Sequence, residues 1–290
     1  MPISSVPVYA TLRAAVEADK RQRILSHQFA RSAALRMAAV AGGGATRLNL
    51  IAQGDSWFDY PLPLLDPSDV IAHLTHLPGM APTVLDLAHH GEATEDMLGV
   101  TKLHTFIAQL QDPASRPFDA ILFSGGGNDL VGNQFRLWLQ DAPADLDAAK
   151  GLDAVRVACI LGVVKAGYED LVAARDRQAP GATIFAHDYD FAIPDGRGVC
   201  GAGPWLKPSL DDRGWTSRQD GAAIVKQLLQ EFGAMLDGFE STVPDFVHVR
   251  TQGTLDPTQW ANELHPTPDG FAAIAGKFLE ALRSRFPGRI

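Results

Sequence analysis

The chain has 290 residues, 46% hydrophobic and 20% charged, with a formal net charge of −9 at pH 7. That length and apolar content supply the core of one large α/β domain, and the composition is not that of a disordered chain. The negative balance speaks against a nucleic-acid partner, because binding phosphates requires clustered Lys and Arg.

The N-terminus lacks the basic flank and apolar core of a signal peptide. No apolar run reaches the roughly 18 residues that span a bilayer. A cytoplasmic protein without a transmembrane segment is the expectation. Two cysteines, Cys159 and Cys200, are too few for a disulfide framework.

In chain order, residues 8–41 read as a helix, stopped by Gly42-Gly43-Gly44. It is an N-terminal helical extension of about 8–42. Lys20, Arg21 and Arg23 are interleaved with Glu17 and Asp19, which reads as a solvated helix face. Then come five short apolar runs with turn residues at their ends: 48–53, 83–88, 120–125, 183–190 and 246–251. Such runs are the mark of buried parallel strands.

Helical patterns lie between them. Met97, Leu103, Phe106, Ile107 and Leu110 share one face. So do Ile224, Leu228, Phe232, Met235 and Leu236, and in the last helix Phe271, Ile274, Ala275, Phe278, Leu279 and Leu282. A further helical stretch, roughly 152–175, is more uniformly apolar, and Cys159 within it reads as a buried thiol. Strands alternating with helices imply a parallel sheet covered on both faces. Residues 130–150 and 191–216 do not fit the alternation; each reads either as a pocket wall or lid, or as a surface excursion packed by its own tryptophans. With no internal repeat or linker, residues 1–290 are expected to form a single domain.

In an open parallel sheet, ligands bind beyond the carboxyl ends of the strands. The polar and glycine residues of this chain fall there. Ser56 follows the first strand through Gly54 and Asp55. A serine at a strand-to-helix turn can present its hydroxyl in a cleft, given a base to activate it; it can equally cap a helix. After the third strand, Gly125-Gly126-Gly127-Asn128-Asp129 lets the backbone approach a ligand closely, and the Asn128 amide can donate to a developing oxyanion. The same pair also makes self-bonded turns. His265, in Asn262-Glu263-Leu264-His265-Pro266, precedes a helix start marked by Pro266, Thr267, Pro268 and Asp269.

Together these blocks resemble the SGNH (GDSL-type) hydrolase superfamily. Gly54-Asp55-Ser56, Gly126-Gly127-Asn128-Asp129 and His265-Pro266 match its first, third and fifth blocks in order and spacing, and Gly91 matches the glycine of the second. The resemblance covers roughly residues 48–282. It implies a three-layer α/β/α sandwich with a flavodoxin-like, five-stranded parallel sheet, here with an extra N-terminal helix. It implies a serine hydrolase of carboxylic esters: Ser56 as nucleophile, His265 as general base, and an oxyanion hole from the Ser56 and Gly91 amides and the Asn128 side chain. No metal or organic cofactor is implied, and the partner would be a small-molecule or lipid-like ester.

One position departs from the pattern. The family usually places an Asp three residues before the His; here it is Asn262. Asn262 orienting the ring, Glu263 serving as the acid, or a backbone carbonyl near Trp260 or Asn262 are the alternatives. A non-catalytic ligand-binding protein on the same fold is the competing function, favoured by Asn262. A flavin-binding protein is a fold-level analogy only.

Other motifs carry less. Gly196-Arg197-Gly198-Val199-Cys200-Gly201 fits a dinucleotide fingerprint but does not open a helix after a strand. His187, Asp188, Asp190 and the pair His89-His90 read as lining the substrate cleft rather than as a metal site. Trp57, Phe58 and Tyr60 read either as an acyl pocket or as ordinary packing.

Overall fold

The computed structural model describes residues 8–40, 42, 46–61, 67–199 and 202–290. Gly43, Gly44, Cys200 and Gly201 lie outside the described residues, so the helix stop and the fingerprint-like loop are described only in part.

Five strands form one parallel sheet: β1 (Asn49–Gly54), β2 (Thr83–Asp86), β3 (Ala120–Ser124), β4 (Thr183–His187) and β5 (Phe246–Val249), in the order β2-β1-β3-β4-β5. The register pairs Ile51 with both Leu85 and Ile121, and Phe123 with Ala186. Every residue of β1, β3 and β4 is buried, as continuous apolar runs covered on both faces must be. β4 ends at His187, short of the expected 190: Tyr189 takes φ = 53°, in the left-handed region, which a strand cannot continue through.

The long helices are α1 (Val8–Val40), α4 (Val100–Gln111), α7 (Ala154–Gln178), α9 (Arg218–Thr242) and α10 (Pro268–Arg285). Shorter ones are α2 (Val70–Thr75), α3 (Thr94–Met97), α5 (Gly127–Leu130), α6 (Phe135–Trp138) and α8 (Lys207–Asp212). The α2 and α10 helices pack together, while α7 contacts α4 and α9. Right-handed crossovers from the central strands place these two groups on opposite faces, giving three layers. Ile274, Phe278 and Leu282 of α10 are fully buried, as are Ile224, Phe232 and Leu236 of α9. Met97 belongs to α3, because Gly99 caps the start of α4 and separates the two helices.

Two sequence readings change. Cys159 is exposed, as are Val155 and Val163; α7 turns only the face bearing Val157, Val164, Tyr168 and Leu171 inward. Lys20 and Arg23 are not on a solvated face. Lys20 is buried, 3.8 Å from Glu92. Arg23 reaches Asp59 at 2.7 Å and Asp86 at 2.9 Å. With His27 bonded to Asn49 and Gln28 to Asp112, α1 is held to the β2 edge by a polar stripe. No helix among the described residues is long and apolar enough to cross a membrane.

The two irregular regions pack on each other. Gly132 donates to the Trp205 carbonyl, Ala142 to that of Arg213, and the Trp215 indole to that of Gln140. They form one cap, in which the Trp138 indole also holds its own region through the Leu130 carbonyl.

Candidate active site

The site begins at the C-terminal end of β1. A side chain at Gly54 would bring its Cβ within 2.9 Å of both Phe58 and Ser124, so only glycine fits between β1 and β3. The next residue, Asp55, is buried. Its carboxylate accepts from the Tyr189 hydroxyl at 2.6 Å, the Ser124 hydroxyl at 2.8 Å and the Trp57 amide at 3.0 Å. Burial pushes its pKa up to about 6 against those hydrogen bonds, leaving it mainly ionised at neutral pH. The His187 ring donates to or accepts from Ser124 at 2.8 Å, and burial pushes it down to about 3. His187 is thus a neutral core histidine, stacked on Phe58, and Asp188 is spent on Thr251 and His248. Neither lines the cleft; Asp190 does.

Ser56 sits in the turn that follows, and its hydroxyl lies 2.7 Å from His265 Nε2. The His265 ring comes from the loop before α10. Its Nδ1 lies 3.0 Å from Asn262 Oδ1, which also accepts from the backbone amides of Leu264 and His265. Two backbone donors fix that atom as the amide oxygen, so Nδ1 carries the hydrogen and Nε2 is free to accept from Ser56. Burial, with His90 nearby, pushes the imidazole down to about 4. Asn262 supplies orientation without the negative charge that would raise it.

Glu263 does not touch the ring. It is fully buried, and its two oxygens accept from the backbone amides of Gly196, Trp205, Leu206 and Lys207 at 2.6–3.1 Å. The alternative that makes Glu263 the acid partner of His265 is therefore corrected: four amides, more than a carboxylate can leave, hold it in the cap.

Gly91 adopts φ = +77°, open to glycine at no steric cost. Its loop is tied to β1 by the His89 amide on the Gly54 carbonyl. Among the described residues no group accepts from the amides of Ser56 or Gly91. Asn128, after the φ = +110° turn at Gly126, gives one amide hydrogen to the Glu92 carbonyl at 2.9 Å. Its second amide hydrogen has no acceptor among the described residues.

Trp57 lines the cleft, and its indole donates to the Leu264 carbonyl, joining the serine and histidine loops. Phe58 is core packing against His187 and Phe278. Tyr60 packs at 5.0 Å on the His265 ring. His89 and His90 stack at 4.4 Å outside the cleft lining. Among the described residues no group of three or more His, Cys, Asp or Glu could hold a metal ion.

Sequence reasoning missed Tyr189, Ser124 and Arg23, none of which belongs to a block. Arg23 had a signal: Lys20, Arg23, His27 and Arg31 recur at helical spacing.

No protein-family model matches the sequence, and no curated protein matches it. Solved structures do. The lipase Lip_vut3 from a goat rumen metagenome superposes with a TM-score of 0.53 at 15% identity, covering 81% of this chain and 97% of that one. The extracellular lipase of Streptomyces rimosus superposes with a TM-score of 0.50 at 18% identity, covering 82% and 99%. At such identities the likeness is one of fold. With its parallel sheet ordered β2-β1-β3-β4-β5 and flanked by helices on both faces, the chain has the three-layer α/β/α fold of these two lipases, as the sequence resemblance to SGNH (GDSL-type) hydrolases implies.

Proposed function

We propose that the protein is a serine hydrolase of carboxylic esters. The observation that carries this reading is the run of contacts Ser56 Oγ to His265 Nε2 at 2.7 Å and His265 Nδ1 to Asn262 Oδ1 at 3.0 Å. That the similar solved structures are lipases supports it.

In this reading His265 takes the Ser56 proton as Oγ attacks the ester carbonyl. The carbonyl oxygen becomes an oxyanion, met by the Ser56 and Gly91 amides and the second Asn128 amide hydrogen, each worth about 3 kcal/mol of barrier. Collapse breaks the bond to the alkoxy oxygen, which leaves as the alcohol with the proton from His265. Water then attacks the acyl-serine, its proton passing to His265 and back to Ser56, and the carboxylic acid departs. Because the imidazole is held near 4, it is neutral and competent as a base at neutral pH. The imidazolium formed in transit meets an amide rather than a carboxylate, so the chemistry is slower than in a triad with an acid.

The test is labelling by a fluorophosphonate probe together with hydrolysis of p-nitrophenyl esters. Wild type labels at Ser56 and hydrolyses; Ser56→Ala does neither, losing roughly 10⁵-fold or more in kcat. Asn262 favours a second reading, a ligand-binding protein freed from catalysis. Folded wild type that binds a short ester but neither labels nor turns it over would establish that one instead.

A further inference from the structure

Next to Ser56 is a cavity of about 550 Å³, counting the part that opens to solvent. The walls are Leu130 and Val131 from the first half of the cap, Leu206 from the second, and Val225, Leu228 and Leu229 of α9. Two acids border it, and both are spent. Asp55 is held by Tyr189, Ser124 and Trp57, and Asp190 accepts from the amides of Phe191, Gly253 and Leu255. An apolar wall with its carboxylates occupied takes aliphatic groups and penalises hydroxylated ones.

The two halves of an ester make different demands on such a chamber. The alcohol departs after the first step and water must then enter, so its side has to open to solvent. The acyl group stays bonded to Ser56 through both steps and can occupy a closed end.

The Leu206 wall is fixed by a buried charge. Glu263 gathers the amides of Gly196, Trp205, Leu206 and Lys207, and Arg197 of the same segment donates to the Trp260 carbonyl at 2.8 Å. The Trp205 ring stands edge-on to His265 at 5.6 Å. One carboxylate, two residues before the histidine, thus holds both the cavity wall and the ring beside the base. Four amide donors satisfy the two oxygens of the buried Glu263 side chain.

We propose that this cavity is the acyl site, that it selects aliphatic acyl groups, and that Glu263 is a positioning residue that sets its Leu206 wall. The inference rests on the ester-hydrolase reading for its chemistry, but not for its binding.

The test uses p-nitrophenyl esters from acetate to decanoate and, separately, acetates of lengthening alcohols. Wild type hydrolyses the butyrate faster than the acetate. Val131→Phe fills the cavity and lowers the butyrate-to-acetate ratio of kcat/KM by roughly tenfold or more. Leu228→Ala lengthens it and moves the optimum to longer chains. Glu263→Gln keeps one oxygen but turns an NH₂ group on two of the four amides. Its butyrate preference falls through KM, whereas a residue needed only for folding would scale all chain lengths equally.

A readout without turnover accompanies these. In Ser56→Ala the Trp57 indole N–H resonance shifts saturably with ethyl butyrate, and adding Val131→Phe abolishes the shift. Profiles that respond only in the alcohol series, or variants that leave the chain-length ratio and the shift unchanged, overturn the acyl site. A saturable shift in a protein that hydrolyses no ester keeps the site and overturns the hydrolase reading.

Discussion

The two halves of the cleft are built by different physics. The serine half stands on strand ends. Gly54, Asp55 and Ser56 leave β1, Ser124 closes β3, Tyr189 follows β4, and the side chains of Asp55, Ser124 and Tyr189 bond one another in a buried network. The Arg23 guanidinium braces this half from α1 through Asp59. The histidine half stands on a loop and on the cap. Backbone amides converge there on two side chains, two on Asn262, which also meets the His265 ring nitrogen, and four on Glu263. Strand ends fix Ser56 within the sheet's own geometry. His265 is placed by residues that the sheet does not reach.

In the proposed mechanism, removing an oxyanion donor from the serine half should have the largest effect after the loss of Ser56 itself. Asn128→Ala is expected to lower kcat by roughly 10²–10³-fold with little change in KM, read from steady-state hydrolysis of p-nitrophenyl butyrate. An unchanged kcat would remove Asn128 from the oxyanion site.

On the histidine side the comparison can be sharpened by restoring charge. Asn262→Asp should raise the His265 pKa and increase kcat by roughly tenfold or more at pH 8. The acid limb of the pH–rate profile should move upward with it. Wild type should keep its activity from pH 8 down to about pH 5 and lose it as pH falls through about 4, where Nε2 takes a proton. An acid limb near 6.5 in wild type would contradict the burial and charge environment described for the ring.

Acid should also weaken the fold through these histidines. His187 and His265 are held down to about 3 and about 4, so at these two positions the unfolded chain binds more protons than the folded one below about 6.5, while Asp55 and Asp86, raised to about 6 and about 8, act in the opposite sense. The histidine contribution is isolated by His187→Gln, whose urea midpoint should fall less than that of wild type between pH 7 and pH 5; parallel pH dependences would count against it.

The smallest effect on turnover is expected at the brace. Arg23→Ala leaves Asp86 buried without its cation, and burial already pushes that carboxylate up to about 8. The variant should lose about 2 kcal/mol of stability by urea unfolding, while kcat falls only a few-fold at temperatures where the protein stays folded. A larger loss in kcat than in stability would mean that α1 positions Ser56 itself.

Much of this was legible in the sequence. Apolar runs bounded by turn residues gave five strands, of which β1, β3 and β4 are wholly buried, because a strand covered on both faces has no polar side to show. The family's blocks put Ser56, Gly91, Asn128 and His265 at strand ends and before the last helix, because each block is a local turn that its own residues specify. The partner of His265 was narrowed to three alternatives and no further: Asn262 and Glu263 are neighbours, and only their surroundings tell them apart.

The sequence alone determined the sheet, the layers and the identity of the groups at the cleft, since periodicity and turn chemistry are local. Only the tertiary structure decided that Asn262 meets the imidazole while Glu263 is drawn into the cap. It also decided that Lys20 and Arg23 are inward braces and that Cys159 faces solvent. Each depends on which distant backbone amide, carboxylate or helix face arrives beside the residue, and contacts separated by tens to hundreds of residues leave no local pattern to read.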